Sequence, residues 1–230
     1  MKKIGFIGAY DKTDLILNLA KIMTVMGKKV LVIDSTLLQK AKYIVPVINP
    51  TTSYITNFED IDVAVGFEDI EQIKQYLGVT GEEVNYDVLL VDADSEQRIE
   101  KFELMKADKN FFVTSFDLYS LKKGLEILSM LKKPMTLTKI LFAKEVLKED
   151  DDYLNFLSLG YKVIWEEERI YFPLENGDLS VLSENQRVAK IRFRKLSTQY
   201  KDSLAFIALE ALNEKESNVR RAIKIVERGV

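Results

Sequence analysis

Cysteine and histidine are both missing from the 230 residues. Without cysteine the chain forms no disulfide and does no thiol chemistry, a usage that suits a reducing cytoplasm. Without histidine it has no zinc site of the usual kind, no Ser-His-Asp triad and no imidazole proton shuttle. No apolar run approaches the ~20 residues needed to span a bilayer. The start, Met1-Lys2-Lys3 before a four-residue apolar strand, lacks a signal-peptide pattern. A net charge of −3 gives no global attraction to nucleic acid, so any such contact must come from a local patch. What is present is an ordinary globular composition, 47% hydrophobic and 30% charged, at a length that predicts one substantial core.

The most informative stretch runs from Ile4 to Asp34. An apolar strand, Ile4-Gly5-Phe6-Ile7, enters a turn, Gly8-Ala9-Tyr10-Asp11-Lys12-Thr13-Asp14. Leu15, Ile16, Leu19, Ile22 and Met23 then recur at helical spacing up to a break at Gly27. A second apolar strand, Val30-Leu31-Val32-Ile33, ends in Asp34. This strand–loop–helix–strand unit opens many nucleotide-binding α/β domains. A second buried strand, Tyr86 to Asp92, likewise ends in an acid. Ligands bind at the carboxyl ends of parallel strands, so Lys12, Asp34 and Asp92 are expected to converge.

Lys12-Thr13, Asn18-Leu19-Ala20, Gly27-Lys28-Lys29-Val30 and Val32-Ile33-Asp34 together resemble the start of the ParA/MinD family of P-loop ATPases. The resemblance implies a doubly wound, mostly parallel sheet of about six to eight strands with helices on both faces. It also implies an ATP and Mg²⁺ site built from Gly8, Asp11, Lys12, Thr13, Asp34 and Asp92. There Thr13 and Asp92 would hold the metal and Asp34 would help position the attacking water. The loop nevertheless departs from G-x-x-x-x-G-K-[ST], whose glycines let backbone N–H groups wrap phosphates. Phe6 and Asp11 stand at the two glycine positions, Ile7 replaces the family's signature Lys, and Asp14 replaces a second Thr. A carboxylate at position 11 would repel a phosphate a few Å away by roughly 1–4 kcal/mol. Lys12 and Asp11 are expected to neutralise each other instead. The stretch that matches the family's adenine-reading Asn is Ala143-Lys144-Glu145, without an Asn, and Phe172-Pro173 only loosely matches the strand end flanking the base.

Elsewhere the pattern is coarser. Pro46 and Asn49-Pro50 mark a loop, and two short strands are expected at 53–58 and 61–65 around a turn. Helices are predicted at 67–77, 118–131 and 153–159, and strands at 110–114, 138–142, 163–165 and 170–173. Asp150-Asp151-Asp152 reads as a solvated turn or a helix start, and Glu166 to Glu168 as an exposed face. Lys190, Arg192 and Arg194 alternate with Ile191 and Phe193. If extended, this segment either packs amphipathically on the sheet or, as the less favoured reading, contacts nucleic acid. A helix built on Leu196, Tyr200, Leu204, Ile207, Ala208 and Ala211 would close a domain over residues 1–213.

Residues 214–230 form a basic amphipathic tail that Ser217 or Asn218 can cap. Val219, Ala222, Ile223, Val226 and Val230 share one face, against Arg220, Arg221, Lys224 and Arg228. Three readings stay open for Val219, Arg220, Arg221, Ile223, Lys224 and Val226: a peripheral membrane contact, a protein partner, or packing on the parent domain. The expected protein is cytoplasmic, with the tail as its route to the inner face of the membrane. It would be a homodimeric scaffold or partner-binding protein that has lost ATP hydrolysis and needs no cofactor, serving pilus, secretion or plasmid-partition machinery. The alternative is a divergent ATPase, still binding ATP and Mg²⁺, with a role in intracellular positioning or DNA partition.

Overall fold

A computed structural model describes residues 1–46, 52–81, 84–144 and 148–229. The loop expected at Asn49-Pro50, and Glu145 and Val230, lie outside the described residues. In chain order the elements are β1 (Lys2–Ile7), α1 (Thr13–Val25), β2 (Val30–Asp34), α2 (Ala41–Ile44), β3 (Tyr54–Phe58), β4 (Ile61–Val65) and α3 (Ile70–Tyr76). Then come β5 (Val88–Ala93), α4 (Glu96–Lys101), β6 (Lys109–Ser115), α5 (Leu118–Ser129), β7 (Met135–Ala143), α6 (Lys148–Leu157) and β8 (Val163–Pro173). Three helices end the chain: α7 (Asn176–Arg187), α8 (Thr198–Leu212) and α9 (Glu216–Arg228). The eight strands form one sheet in the order β3-β4-β2-β5-β1-β6-β7-β8. Among the described residues only the β3–β4 pairing is antiparallel. This is the doubly wound α/β architecture, with the chain reversing direction of winding between β1 and its neighbours.

The central strands are buried on both faces, so they read as continuous apolar runs rather than alternating ones. One face packs against α1, α7, α8 and α9, through Leu19, Tyr200, Leu204 and Val219. The other packs against α3, α4, α5 and α6, through Ile73, Ile99, Leu128 and Leu154. Each fully buried aliphatic or aromatic side chain contributes roughly 1.5–3 kcal/mol. Helix α1 is enclosed on nearly every side, down to Asn18 and Lys21. The Lys21 ammonium reaches the Glu59 carbonyl, 2.9 Å away, and so pins the β3–β4 turn.

Three expectations are corrected. The strands foreseen at 163–165 and 170–173 are one strand, β8. Its register against β7 jumps from Leu137↔Trp165 to Lys139↔Arg169, so three residues stand opposite one, and the glutamates occupy that irregularity. Asp151 is not solvated: it is buried in α6 between Lys139 and Arg169. The segment from Lys190 to Arg194 joins no ladder of the sheet, yet it keeps the expected amphipathic alternation, with Ile191 and Phe193 buried and Lys190, Arg192 and Arg194 exposed. Helix α9 begins at Glu216 after Lys215, without a side-chain cap, and the Asn218 side chain donates to Glu214 instead.

Candidate functional site

The loop from Gly8 to Lys12 joins β1 to α1 at the carboxyl end of the sheet. Gly8 sits at φ +143°, and a Cβ there would lie 2.2 Å from the Val113 carbonyl oxygen, so only glycine lets the loop lie this close to β6. Tyr10 folds back and stacks on Phe142, with ring centroids 4.6 Å apart. Burial, with Asp11 and Asp117 nearby, raises its phenol to about 12. Asp11 Oδ1 accepts from the Thr13 backbone N–H at 3.2 Å and from its hydroxyl at 3.0 Å, while Oδ2 accepts from Lys40 at 2.8 Å. Burial would raise the Asp11 carboxyl, but the hydrogen bonds from Lys40 and Thr13 outweigh it and hold it below its ordinary value.

Lys12 therefore does not pair with Asp11, as the sequence suggested. Its ammonium turns inward, 2.8 Å from the Gly8 carbonyl and 2.6 Å from Asp92 Oδ1, and the side chain is buried. The Asp92 contact is a close ion pair without the alignment of a hydrogen bond. Burial pushes Asp92 up to about 7, Lys12 pulling it down and Asp34 pushing it further up. Asp34 and Asp92 face each other in the β2–β5 register. Both Asp34 oxygens serve the following loop: Oδ1 accepts from the N–H and hydroxyl of Thr36, and Oδ2 from the Ala41 N–H at 2.9 Å. That makes Asp34 a brace for α2. Asp14 lies inside α1, where Gln186 of α7 donates to it at 2.7 Å; burial, then Asp11, raises its carboxyl to about 7.

Around these groups lies a cavity of only about 60 Å³, lined by Gly8 to Thr13, Thr36, Leu38, Lys40, Asp92 and Asp94. Sites for small ligands and cofactors usually enclose roughly 300–1,000 Å³. The Lys12 ammonium and the Thr13 hydroxyl are both engaged by the chain itself, and a carboxylate occupies the start of α1. The residues as arranged do not fit a magnesium triphosphate. Among the described residues no group of three or more carboxylates is placed to hold a metal ion.

No family model and no curated protein matches the chain. Solved structures do. A ParA family ATPase from Chlorobium tepidum TLS is similar at a TM-score of 0.58 and 13% identity, over 90% of this chain and 97% of that one. The ATP complex of a Cyanothece McdA variant gives 0.57 at 12% identity, over 93% and 97%. The MinC:MinD cell division protein complex from Aquifex aeolicus gives 0.51 at 15% identity, over 97% and 96%. The fold is that of the ParA/MinD ATPases. Within this ParA/MinD fold Lys12, Thr13, Asp34 and Asp92 gather at one end of the sheet, whereas the tail residues lie elsewhere.

Val219, Ile223 and Val226 are buried against the domain's own core, so the apolar face of α9 is turned inward rather than offered to a membrane or partner. Arg220 pairs with Asp202 and Glu216, and Arg221 and Lys224 are exposed. No helix among the described residues is long and apolar enough to cross a membrane. Sequence reading missed Lys40, Tyr10 and Gln186 as parts of the site. Lys40 and Gln186 lie in polar stretches without periodicity and reach the loop only through the fold.

Proposed function

We propose that the chain is a ParA/MinD-like scaffold or positioning protein that has given up ATP hydrolysis and works by binding protein partners. The observation that carries this reading is the inward-turned Lys12, held by Asp92 and the Gly8 carbonyl above a cavity too small for a triphosphate. Pilus, secretion or plasmid-partition machinery is the setting we infer, with the cytoplasm as its place. Similar structures support such roles: one is the MinC:MinD cell division protein complex, another a putative plasmid partition protein from Borrelia burgdorferi B31 bound to AMPPNP.

The contact surface we assign flanks the closed site. Leu37, Leu38 and Tyr43, on the β2–α2 side, are 83%, 65% and 78% exposed. Leu118 and Tyr119 at the start of α5 are exposed as well. Apolar groups gathered at one end of a molecule mark an interaction surface. A second copy of the chain is the partner we favour there, giving a dimer that forms without nucleotide.

Calorimetry with ATP and Mg²⁺ tests the reading: no heat of binding is expected at millimolar nucleotide. Micromolar binding that disappears in Lys12→Ala would establish the alternative, a divergent ATPase in which Lys12 leaves Asp92 for the phosphates and Thr13 and Asp92 hold the metal. The gathering of Lys12, Thr13, Asp34 and Asp92 is what favours that second reading.

A further inference from the structure

Four residues depart from the phosphate-loop pattern, and the structure separates them. Phe6 is fully buried and stacks on Phe111, with centroids 5.3 Å apart, and Ile7 is fully buried in the opposite core layer. Neither lines the cavity. Asp14 points away from it toward Gln186. Asp11 alone among the four lines the cavity, and its carboxylate takes the N–H and hydroxyl of Thr13 at the start of α1. Those donors, at the positive end of a 13-residue helix, suit an anion. A helix cap needs nothing more. Here the carboxylate is also met by Lys40, 29 residues away in sequence, which neutralises it from across the cavity mouth.

We infer that Asp11 is the chain's own occupant of the anion position, braced by Lys40, and that its charge, beside the inward-turned Lys12 and the small cavity, keeps phosphates out. The loss of the glycines is secondary, because Phe6 lies in the core and Gly8 preserves the close approach of the loop to β6. Without the Asp11 charge, as in Asn, Lys40 becomes free for an external anion, and without the side chain, as in Gly, the Thr13 donors become free as well. Lys12 also keeps donor capacity in hand, since an ammonium has three donors and the Gly8 carbonyl accepts one.

The inference rests on the closed-site reading and is tested separately from it, on the full chain, with magnesium pyrophosphate as the calorimetric probe. Asp11 precedes the N-cap Lys12 and accepts from Thr13 two residues on, which an Asn oxygen can do as well, so Asp11→Asn keeps that turn and removes only the charge. Asp11→Asn and Asp11→Gly should bind pyrophosphate roughly 5- to 700-fold more tightly than the parent, the range that a like-charge repulsion of ~1–4 kcal/mol implies. Lys40→Ala should bring no gain, because it leaves Asp11 in place and unneutralised. Folded Asp11→Asn and Asp11→Gly proteins that bind no tighter would overturn the inference. So would loss of the fold in both, which would make Asp11 a structural cap. Tight binding by the parent chain would instead sink the closed-site reading.

Discussion

Two buried lysine–aspartate pairs sit in this sheet, and they differ in what surrounds them. Lys139 and Asp151, 2.7 Å apart, are clasped from all sides: Asn155 accepts from Lys139 at 2.6 Å, Arg169 joins Asp151, and the Trp165 ring lies 5.0 Å from the ammonium. Lys12 and Asp92, 2.6 Å apart, border a cavity, and Asp92 is pushed up toward neutrality. The first pair ties α6 to β7 and β8 and is fully spent on structure. The second is under-committed, with the Gly8 carbonyl as the further partner of its ammonium and open space beside it. Similar distances and similar burial thus carry different meanings, and the number of additional partners tells them apart.

The sharpest way to break the comparison is Asp151→Ala. It strands a buried lysine, and a loss of about 3–5 kcal/mol in unfolding free energy is expected from chemical denaturation. Lys12→Met should cost less, under about 2 kcal/mol at pH 6, because Asp92 can take up a proton instead of remaining as an uncompensated charge. Its cost should grow at pH 8, where protonation is harder; equal costs at the two pH values would remove the distinction between the pairs.

The smallest effect concerns Asp14, whose folded value of about 7 lies above the ordinary value of 3.8. The native state therefore binds the proton more tightly, and this group's contribution to stability is lost as pH rises from about 4 to about 7. Asp14→Asn keeps an acceptor for Gln186 and should stabilise the protein at pH 8 by on the order of 1–2 kcal/mol, with little change at pH 4. Thermal unfolding at the two pH values reads this out, and a gain of equal size at both would contradict it.

Much of the fold is legible because its signals are local. Val30 to Ile33 and Val88 to Val91 are apolar runs long enough only for buried strands, and Gly27 and Gly78 stop their helices where the spacing ends. Helix α7 escaped notice because Gly, Ser, Asn and Asp dilute its apolar spacing around Val181 and Leu182. Glu166 to Glu168 broke the pattern of β8 in the sequence without breaking the strand. At the candidate site the members could be named, but their pairing could not. Asp11 lies beside Lys12 in the chain and yet chooses Lys40, since the inward turn of Lys12 is fixed by Asp92, 80 positions later. Partner choice among charges is a property of the assembled sheet, and local spacing does not encode it.

The register jump in β8 also reaches beyond the single molecule. A terminal strand kinked at adjacent glutamates and closed by Pro173 offers a neighbour no straight ladder of amides, so continuous β growth from one copy into the next is blocked at that margin. Filaments or clusters containing this protein would have to join there through side chains, and could come apart again without unzipping a backbone.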